Sequence, residues 1–474
     1  GLSRGFVNSA TGDQESETKS RDSEEDFRSM KENQLLLRKQ DLRILPICAM
    51  MYLLAFVDRT NIGNAKVMNA EEGHDMRTEL NITGRSFSFA LVLFFIAYTI
   101  FEVPSNYLLK MMGPSRWFSF ILFGWGCCSY TVGYATDSAQ LYALRFLIGM
   151  YEAGLAPGLV YYYRPEERSF RLALIFATAT LAGVFGGFVA SGISEMDGMF
   201  GSSGWRWLFW IEGAPTVFFA IVVYKCLPDY PEHANFLTPD EIALAKRRMA
   251  ATGSKGNAAN MSWKDVAHVL MDWRLYLHYA VYFLKACPFS SLSLFTPSIV
   301  KGLGYTSHKT QLLTVPPYAM AFLVTVALAL YCDQRNRRAF VSAVLMFIGA
   351  VGFLTLYCLP LDSHVGRYCA LIVSAVGSFA TFPILLGWLS SNLRTTSAQG
   401  FALGLNVAIG SPAQILGVWI YPNSHAANGY RMGHSVNCAF LLIAMFMTLI
   451  LAGLYTIRNR HIATGLSPGP AWVL

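Results

Sequence analysis

The chain has 474 residues, of which 54% are hydrophobic and 14% are charged, and its net charge at pH 7 is +7. Soluble globular proteins usually carry about 25% charged residues, so this composition excludes an ordinary soluble domain. The basic residues lie in separate loops and form no single patch. This distribution argues against nucleic-acid binding.

Twelve apolar stretches follow one another along the chain, and each is long enough to cross ~30 Å of hydrocarbon as a helix of about 20 residues. They are predicted at residues 44–65, 85–110, 117–136, 139–163, 170–194, 205–227, 273–300, 311–332, 339–359, 367–389, 397–421 and 435–457. The predicted fold class is therefore an all-α membrane protein, with twelve transmembrane helices in two pseudo-symmetric halves of six.

Polar segments divide this chain. Residues 1–43 are polar and predict a disordered cytosolic tail. Residues 44–227 and 273–457 form the two predicted six-helix bundles, joined by a charged cytosolic linker at 228–272 and followed by a cytosolic tail at 458–474. Most lysines and arginines lie in the tails, the linker and alternate loops. Both termini are therefore expected in the cytoplasm, with the plasma membrane as the expected location.

Four ionisable residues lie deep in the first and fourth predicted helices, where charges are costly and need a partner or a function. Asp58, Arg59 and Arg145 are expected about 10 Å from the external boundary, and Glu152 about 10 Å deeper on the face of Arg145. This arrangement suits an anion bound through arginine beside a carboxylate that can take up a proton. A purely structural pair of Asp58 with Arg145 is an equally good explanation, whereas Glu152 has no obvious basic neighbour.

Other ionisable residues in the predicted helices have less defined roles. Glu102 is interpreted as anchoring a kink beside Pro104, and Glu212 as pairing with Arg206 or holding its helix in place. Lys285 has no identifiable partner, so attraction of an anion and pairing with an acid both stay open. Further residues are predicted to line a cavity and bind substrate with the arginines: Asn61, Tyr98, Tyr282, Trp388 and Asn406.

Nothing in the sequence indicates an enzyme, because no nucleophile, metal-ligand or cofactor constellation is recognisable. The nine cysteines lie in or beside apolar stretches without a CxxC pair and are interpreted as packing residues. Neither a metal nor a cofactor is expected, and the protein is expected to be a monomer.

Several motifs resemble the fungal allantoate permease family of the major facilitator superfamily, and nicotinic acid transporters within it. They are RKQDLRILP at 38–46, FVDRTNIGNA at 56–65, FEVPSN at 101–106, GPSRW at 113–117, LRFLIGMYEAG at 144–154, GWRW at 204–207, LPDYP at 227–231, SLFTP at 293–297 and GH at 433–434. The resemblance covers nearly the whole chain after the tail. It implies transport of small carboxylates such as nicotinate, allantoate or pantothenate, mostly driven by protons.

The resemblance also implies roles for individual residues. In the wider anion:cation symporter group, the matching residues assign proton coupling and anion binding to Asp58, Arg59, Arg145 and Glu152. Asp333 and Arg337 match a cytoplasmic loop motif that gates the two halves. One stretch departs from the family, because several aromatic-rich residues are missing between 157–158 and the Glu-Arg pair that follows. Such a deletion would pull the fourth helix or strain the next loop.

The leading hypothesis is thus a proton-coupled symporter of a small organic anion that works by alternating access. Its partners would be that anion, protons and the lipid bilayer, without nucleic acid. Two alternatives stay open: an exporter of a metabolite on the same fold, and a membrane sensor or scaffold that does not transport.

Overall fold

The structure is a computed structural model that describes residues 5–155, 163, 165–229, 234, 236–250, 263–393, 396–465 and 472–473. The regular secondary structure of these residues is helical. The helices are α1 (Gly5–Val67), α2 (Met76–Glu79), α3 (Gly84–Met112), α4 (Pro114–Val132), α5 (Ser138–Glu152), α6 (Pro165–Ser194), α7 (Gly204–Cys226), α8 (Pro239–Ala250), α9 (Trp263–Met271), α10 (Trp273–Lys301), α11 (Ser307–Leu313), α12 (Val315–Arg335), α13 (Arg338–Cys358), α14 (His364–Ser391), α15 (Thr396–Trp419) and α16 (Arg431–Ala463).

Ten helices in the described part of the chain are long and apolar enough to cross a membrane. The remaining two predicted spans, the third and the fourth, correspond to α4 and α5. Helix α5 has only 15 residues, fewer than a full span needs. The predicted all-α membrane architecture is confirmed.

Helix α1 begins at Gly5, so the structure differs from the disordered tail predicted for residues 1–43. That prediction weighed polarity alone, whereas the segment is rich in Glu, Lys, Arg and Gln, which are good helix formers. Its last part contacts other elements: Asp41 accepts hydrogen bonds from Arg171 at 2.5 and 2.6 Å, and Leu36 packs against Leu237 of the linker. The segment thus joins α1 to α6 and to the linker.

The fourth predicted span, 139–163, ends eleven residues early because α5 stops at Glu152. The chain then turns through Gly154, whose φ of +84° is a conformation that residues with a side chain rarely adopt. Helix α3 satisfies the backbone groups released there. Ser105 donates to the carbonyl of Ala153 at 2.6 Å, and Glu102 accepts from the N–H of Gly154 at 2.8 Å. The stretch that is short relative to the family lies outside the described residues.

The two halves, α1–α7 and α10–α16, meet along several helices. Helix α6 packs against α12 and α14, α3 against α15, and α1 against α10. Small residues allow this approach. A Cβ atom on Gly183 of α6 would lie 2.4 Å from the ring of Tyr318, and one on Gly187 would lie 2.8 Å from Thr314. The face of α6 that carries Gly183 and Gly187 is therefore a face that contacts the other half.

Polar contacts join the halves at the predicted external end. Lys301 forms an ion pair with Glu71 at 2.6 Å. Ser307 donates to the carbonyl of Val67 at 3.1 Å, and Gln311 of α11 donates to the carbonyl of Asn64 at 3.2 Å. These contacts hold the two halves together at that end.

Candidate functional site

A small cavity lies between the two halves. Its volume is about 30 Å³, which is room for about two water molecules, so an organic anion does not fit in this conformation. The lining residues come from both halves: Tyr52, Ala55, Phe56, Arg59, Tyr98, Glu152, Leu155, Tyr282, Phe289, Phe382, Leu386, Val407 and Gln414.

The charged part of the cavity is an ion pair between Arg59 of α1 and Glu152 of α5. The two side chains are 11% and 2% exposed. The guanidinium also lies 4.7 Å from the ring centroid of Phe56 and 5.3 Å from that of Tyr98. A buried pair of this kind is costly to break, unless another charge or a proton replaces the lost partner.

The expectation that Glu152 lacks a basic neighbour is wrong, and helix geometry explains why. Side chains on a helix tilt toward its N-terminus. Helices α1 and α5 run in opposite directions through the bundle, so Arg59 tilts toward the level of Glu152 and Glu152 tilts toward the level of Arg59. Helix α1 also continues to Val67, which places Arg59 about 12 Å from its end. A depth estimated only from the number of residues along each helix places Arg59 and Glu152 at different levels of the membrane.

Asp58 and Arg145 are buried but do not line the cavity. Asp58 accepts hydrogen bonds from Trp125 at 3.0 Å and from Ser129, so its carboxylate is directed toward α4. Arg145 lies 5.8 Å from the ring of Phe209. It interacts electrostatically with Asp58, but the structure gives no ion pair between them. The structural pair that the sequence suggested is therefore replaced by the pair of Arg59 with Glu152.

Four predicted binding residues divide into two groups. Tyr98 and Tyr282 line the cavity, one from each half. Asn61 and Asn406 are buried but do not line the cavity. Within the described residues, both amide atoms of Asn61 and the Oδ1 atom of Asn406 have no hydrogen-bond partner.

The prediction that Trp388 binds substrate does not agree with the structure. Its indole N–H donates to the carbonyl of Val473 at 2.8 Å, and its ring packs against His278 at 4.6 Å and Tyr455 at 5.7 Å between centroids. Trp388 lies near the end of α14, which stops at Ser391. Leu386, two residues earlier on α14, lines the cavity. The direction of the Trp388 side chain therefore keeps it out of the cavity, because its ring packs between α10 and α16.

Asp333 and Arg337 form no ion pair with each other, and their gating role stays a prediction. Asp333 forms its ion pair with Arg338 at 3.4 Å, while Arg337 is exposed at the start of α13. The turn explains the shift by one residue, because Asn336 adopts a left-handed conformation and redirects the chain. Arg338 thereby becomes the buried arginine and also donates to Ser391 at 3.0 Å.

The pairing proposed for Glu212 is not found. Arg206 forms its ion pair with Glu79 at 3.2 Å. Both carboxylate oxygens of Glu212 are buried, and neither has a hydrogen-bond partner within the part of the chain that the structure describes. Glu212 does not line the cavity.

Sequence reasoning missed most of the aromatic wall of the cavity. Tyr52 and Phe56 precede Arg59 by seven and three residues, so the three share one face of α1. Tyr282 and Phe289 are likewise seven residues apart on α10. Aromatic residues three, four or seven positions from a buried charge on the same helix are the sequence signal that could have identified this wall. Phe382 of α14 stacks on Phe289 with ring centroids 4.8 Å apart, a contact that no spacing along the chain indicates.

One exposed group outside the spans has the residue types of a metal site. The ligand atoms of Glu72, His74 and Asp197 lie within 4.8 Å of one another. Nδ1 of His74 is hydrogen-bonded to Asp197 at 2.6 Å, and this bond and the negative charge raise the pKa of His74. Exposed acidic groups of this kind are common without a metal, so we assign none.

Known proteins resemble this chain over most of its length. It is 48% identical to the MFS transporter prlL of a fungal species (strain NRRL 50135) over 430 residues, covering 90% of this chain and 87% of that one. It is 32% identical to a putative tartrate transporter of Agrobacterium vitis, with 67% and 72% coverage. The structure of the xylose transporter XylE from E. coli superimposes with a TM-score of 0.63 at 14% identity, covering 87% of this chain and 98% of XylE.

The model of the Major Facilitator Superfamily matches residues 48–418. This span includes every residue that lines the cavity and the linker between the halves. The paired helical bundles with a central cavity agree with that match. The chain therefore belongs to the major facilitator superfamily and is a multi-pass membrane transporter.

Proposed function

We propose that this transporter is a proton-coupled symporter of a small organic anion, a carboxylate of the nicotinate, allantoate or pantothenate type. The observation that carries the proposal is the buried ion pair of Arg59 and Glu152 in the cavity between the halves. The name of the putative tartrate transporter, a relative at 32% identity, also supports an organic anion.

The ion pair makes proton and anion binding interdependent. While Glu152 is ionised, it neutralises Arg59, and an approaching carboxylate meets no free positive charge. When Glu152 takes up a proton, Arg59 loses its partner and offers two donors to a carboxylate. The proton removes the negative charge of Glu152, and the bound carboxylate replaces that charge. The net charge of the site is therefore conserved. This charge balance favours movement of both solutes together.

Asp58 and Arg145 form a second layer beside this pair. The Asp58 carboxylate is stabilised by Trp125 and Ser129, so we assign proton uptake to Glu152 first, with Asp58 as the second acid. Arg145 provides positive charge near both acids. We further propose that both termini face the cytoplasm at the plasma membrane, as the distribution of basic residues indicates.

The test is uptake of labelled nicotinate by the purified full chain in proteoliposomes, with and without a pH gradient that is acid outside. We expect the gradient to increase accumulation in the wild type. Glu152→Gln should lower gradient-driven accumulation at least tenfold while exchange of internal for external nicotinate continues, because the neutral side chain mimics the protonated acid. Glu212→Gln is the matched control, since Glu212 has buried carboxylate oxygens outside the cavity.

Gradient-dependent uptake by Glu152→Gln at the wild-type level would contradict the coupling role. Accumulation only when the gradient is reversed would instead identify an exporter. Absence of any transport in either direction, with nicotinate bound to the folded protein, would favour a sensor.

A further inference from the structure

We propose that Lys285 holds the substrate carboxylate together with Arg59, and that the cavity accepts a flat, largely apolar monocarboxylate. This proposal deepens the proposed function and rests on its central cavity. Lys285 lies on α10, in the half opposite Arg59, and its side chain is fully buried. The coupling mechanism proposed for Arg59 and Glu152 does not involve Lys285.

The position of Lys285 connects it to the cavity wall. It lies three residues after Tyr282 and four before Phe289, so all three share one face of α10. Its ammonium is 4.5 Å from the ring centroid of Phe289 and 4.2 Å from that of Phe382. Tyr282 and both rings line the cavity. The charge therefore lies directly behind the aromatic wall.

Lys285 has no anionic partner among the residues that the structure describes, where its Nζ atom makes no hydrogen bond and no ion pair. Cation–π contacts with two aromatic rings offset only part of the free energy that is lost when an ammonium is removed from water. Arg59 differs, because Glu152 compensates its charge. A cation in this position is best compensated by an anion that enters the cavity.

The two cations belong to different halves and flank one ring pair. Arg59 lies over Phe56, Lys285 lies over Phe289, and the centroids of these two rings are 5.8 Å apart. A carboxylate between the halves would attract both cations. It would lower the cost of burying Lys285, and so favour closure of the loaded transporter over the empty one.

The lining restricts the substrate class. Six of the thirteen lining residues are aromatic, and four more are aliphatic. Stacked and edge-on rings favour a flat ring of a ligand. Besides the ion pair, the lining offers a hydroxyl-rich acid only three tyrosine hydroxyls and the amide of Gln414 as partners. Each hydroxyl group of the acid that stayed unpaired would cost free energy. The cavity therefore favours an aromatic or unsaturated monocarboxylate over a hydroxy acid such as tartrate.

The test measures binding by thermal shift of the purified full chain in detergent, without a proton gradient, using benzoate, benzamide and tartrate. We expect benzoate to raise the melting temperature more than equal concentrations of its neutral analogue benzamide or of tartrate. Lys285→Met should weaken benzoate binding at least tenfold, and Lys285→Arg should restore most of it. Lys66→Met is the matched control, because Lys66 is a buried cation over two rings, Phe87 and Phe295, away from the cavity.

A second readout keeps the test informative whatever the ligand. Without ligand, Lys285→Met should melt at a higher temperature than the wild type, because it removes a buried charge that has no partner. A lower melting temperature would show that Lys285 has a structural role instead. Wild-type benzoate affinity in Lys285→Met would overturn the anchor, and tartrate binding as tight as benzoate binding would overturn the substrate class. Benzoate binding through Lys285 without proton-driven uptake would overturn only the symport mechanism.

Discussion

Glu152 and Asp58 are both buried acids near arginines, but their surroundings give them different chemistry. Asp58 accepts two hydrogen bonds from α4, and these neutral donors stabilise its charge in every protonation state of its neighbours. Glu152 depends on Arg59, and its Oε2 atom has no hydrogen-bond partner within the described residues. A carboxylate whose main partner can be taken by a substrate is the better site for proton exchange.

His74 provides a prediction about pH. The hydrogen bond and the charge of Asp197 raise the pKa of His74 above its ordinary value of about 6.5. Because the pKa is raised, the contact stabilises the fold fully below about pH 6.5 and is lost as pH rises through the raised value. In an NMR titration of labelled histidine, Asp197→Asn should lower the midpoint of His74, with His74→Asn identifying the signal. An unchanged midpoint would contradict the pairing.

At the scale of elements, the accuracy of prediction depends on what ends each helix. Helix α13 spans Arg338–Cys358, within one residue of the predicted 339–359, because its apolar stretch and its boundaries coincide. Helix α5 does not follow its apolar stretch, since contacts with α3 stabilise an earlier end. Hydropathy indicates whether a segment lies in lipid or in water, but it does not report tertiary contacts of this kind.

The early end of α5 leads to a prediction about Ser105. Its hydroxyl donates to the carbonyl of Ala153 and accepts from the indole N–H of Trp117 at 3.0 Å, so it joins α3, α4 and the end of α5. Ser105→Ala leaves two buried groups unpaired, at about 1–3 kcal/mol each, and should lower the melting temperature in detergent by several degrees.

Ser293→Ala is the control for this experiment. Ser293 is equally buried, but within the described residues its hydroxyl bonds only to the carbonyl of Phe289 in its own helix. That carbonyl keeps its helical partner after the substitution. Equal melting temperatures for the two variants would show that α5 ends at Glu152 without help from Ser105.

At the scale of the whole molecule, the sequence identified the charged residues but not their grouping. The free-energy cost of a charge within a membrane identified Arg59, Glu152 and Lys285 from the sequence alone. Which of them share a cavity depends on the rotation of each helix and on the docking of the halves. The aromatic wall combines α1, α3, α10 and α14. No periodicity within one helix reports such a combination.

Contact between the halves should also stabilise closure at the predicted external end. Gly63 of α1 touches α10 so closely that an added Cβ atom would lie 2.6 Å from the carbonyl oxygen of Leu294. A backbone atom cannot relieve a clash by changing rotamer as a side chain can. Gly63→Ala must therefore move the two helices apart. Overpacking costs about 1–3 kcal/mol, and 1.4 kcal/mol corresponds to a tenfold change in an equilibrium. We expect the opening equilibrium at this end to rise roughly tenfold.

Hydrogen exchange measured by mass spectrometry reports this opening, because Ser307 and Gln311 of α11 bond to backbone carbonyls of α1. Peptides covering residues 307–313 should exchange faster in Gly63→Ala, while peptides from α13, inside the second half, should not change. Gly192→Ala is the control, since a Cβ atom there has nothing within 4 Å. If both variants exchange like the wild type, the contact of α1 with α10 does not control closure, and the ion pair of Lys301 with Glu71 becomes the element to test.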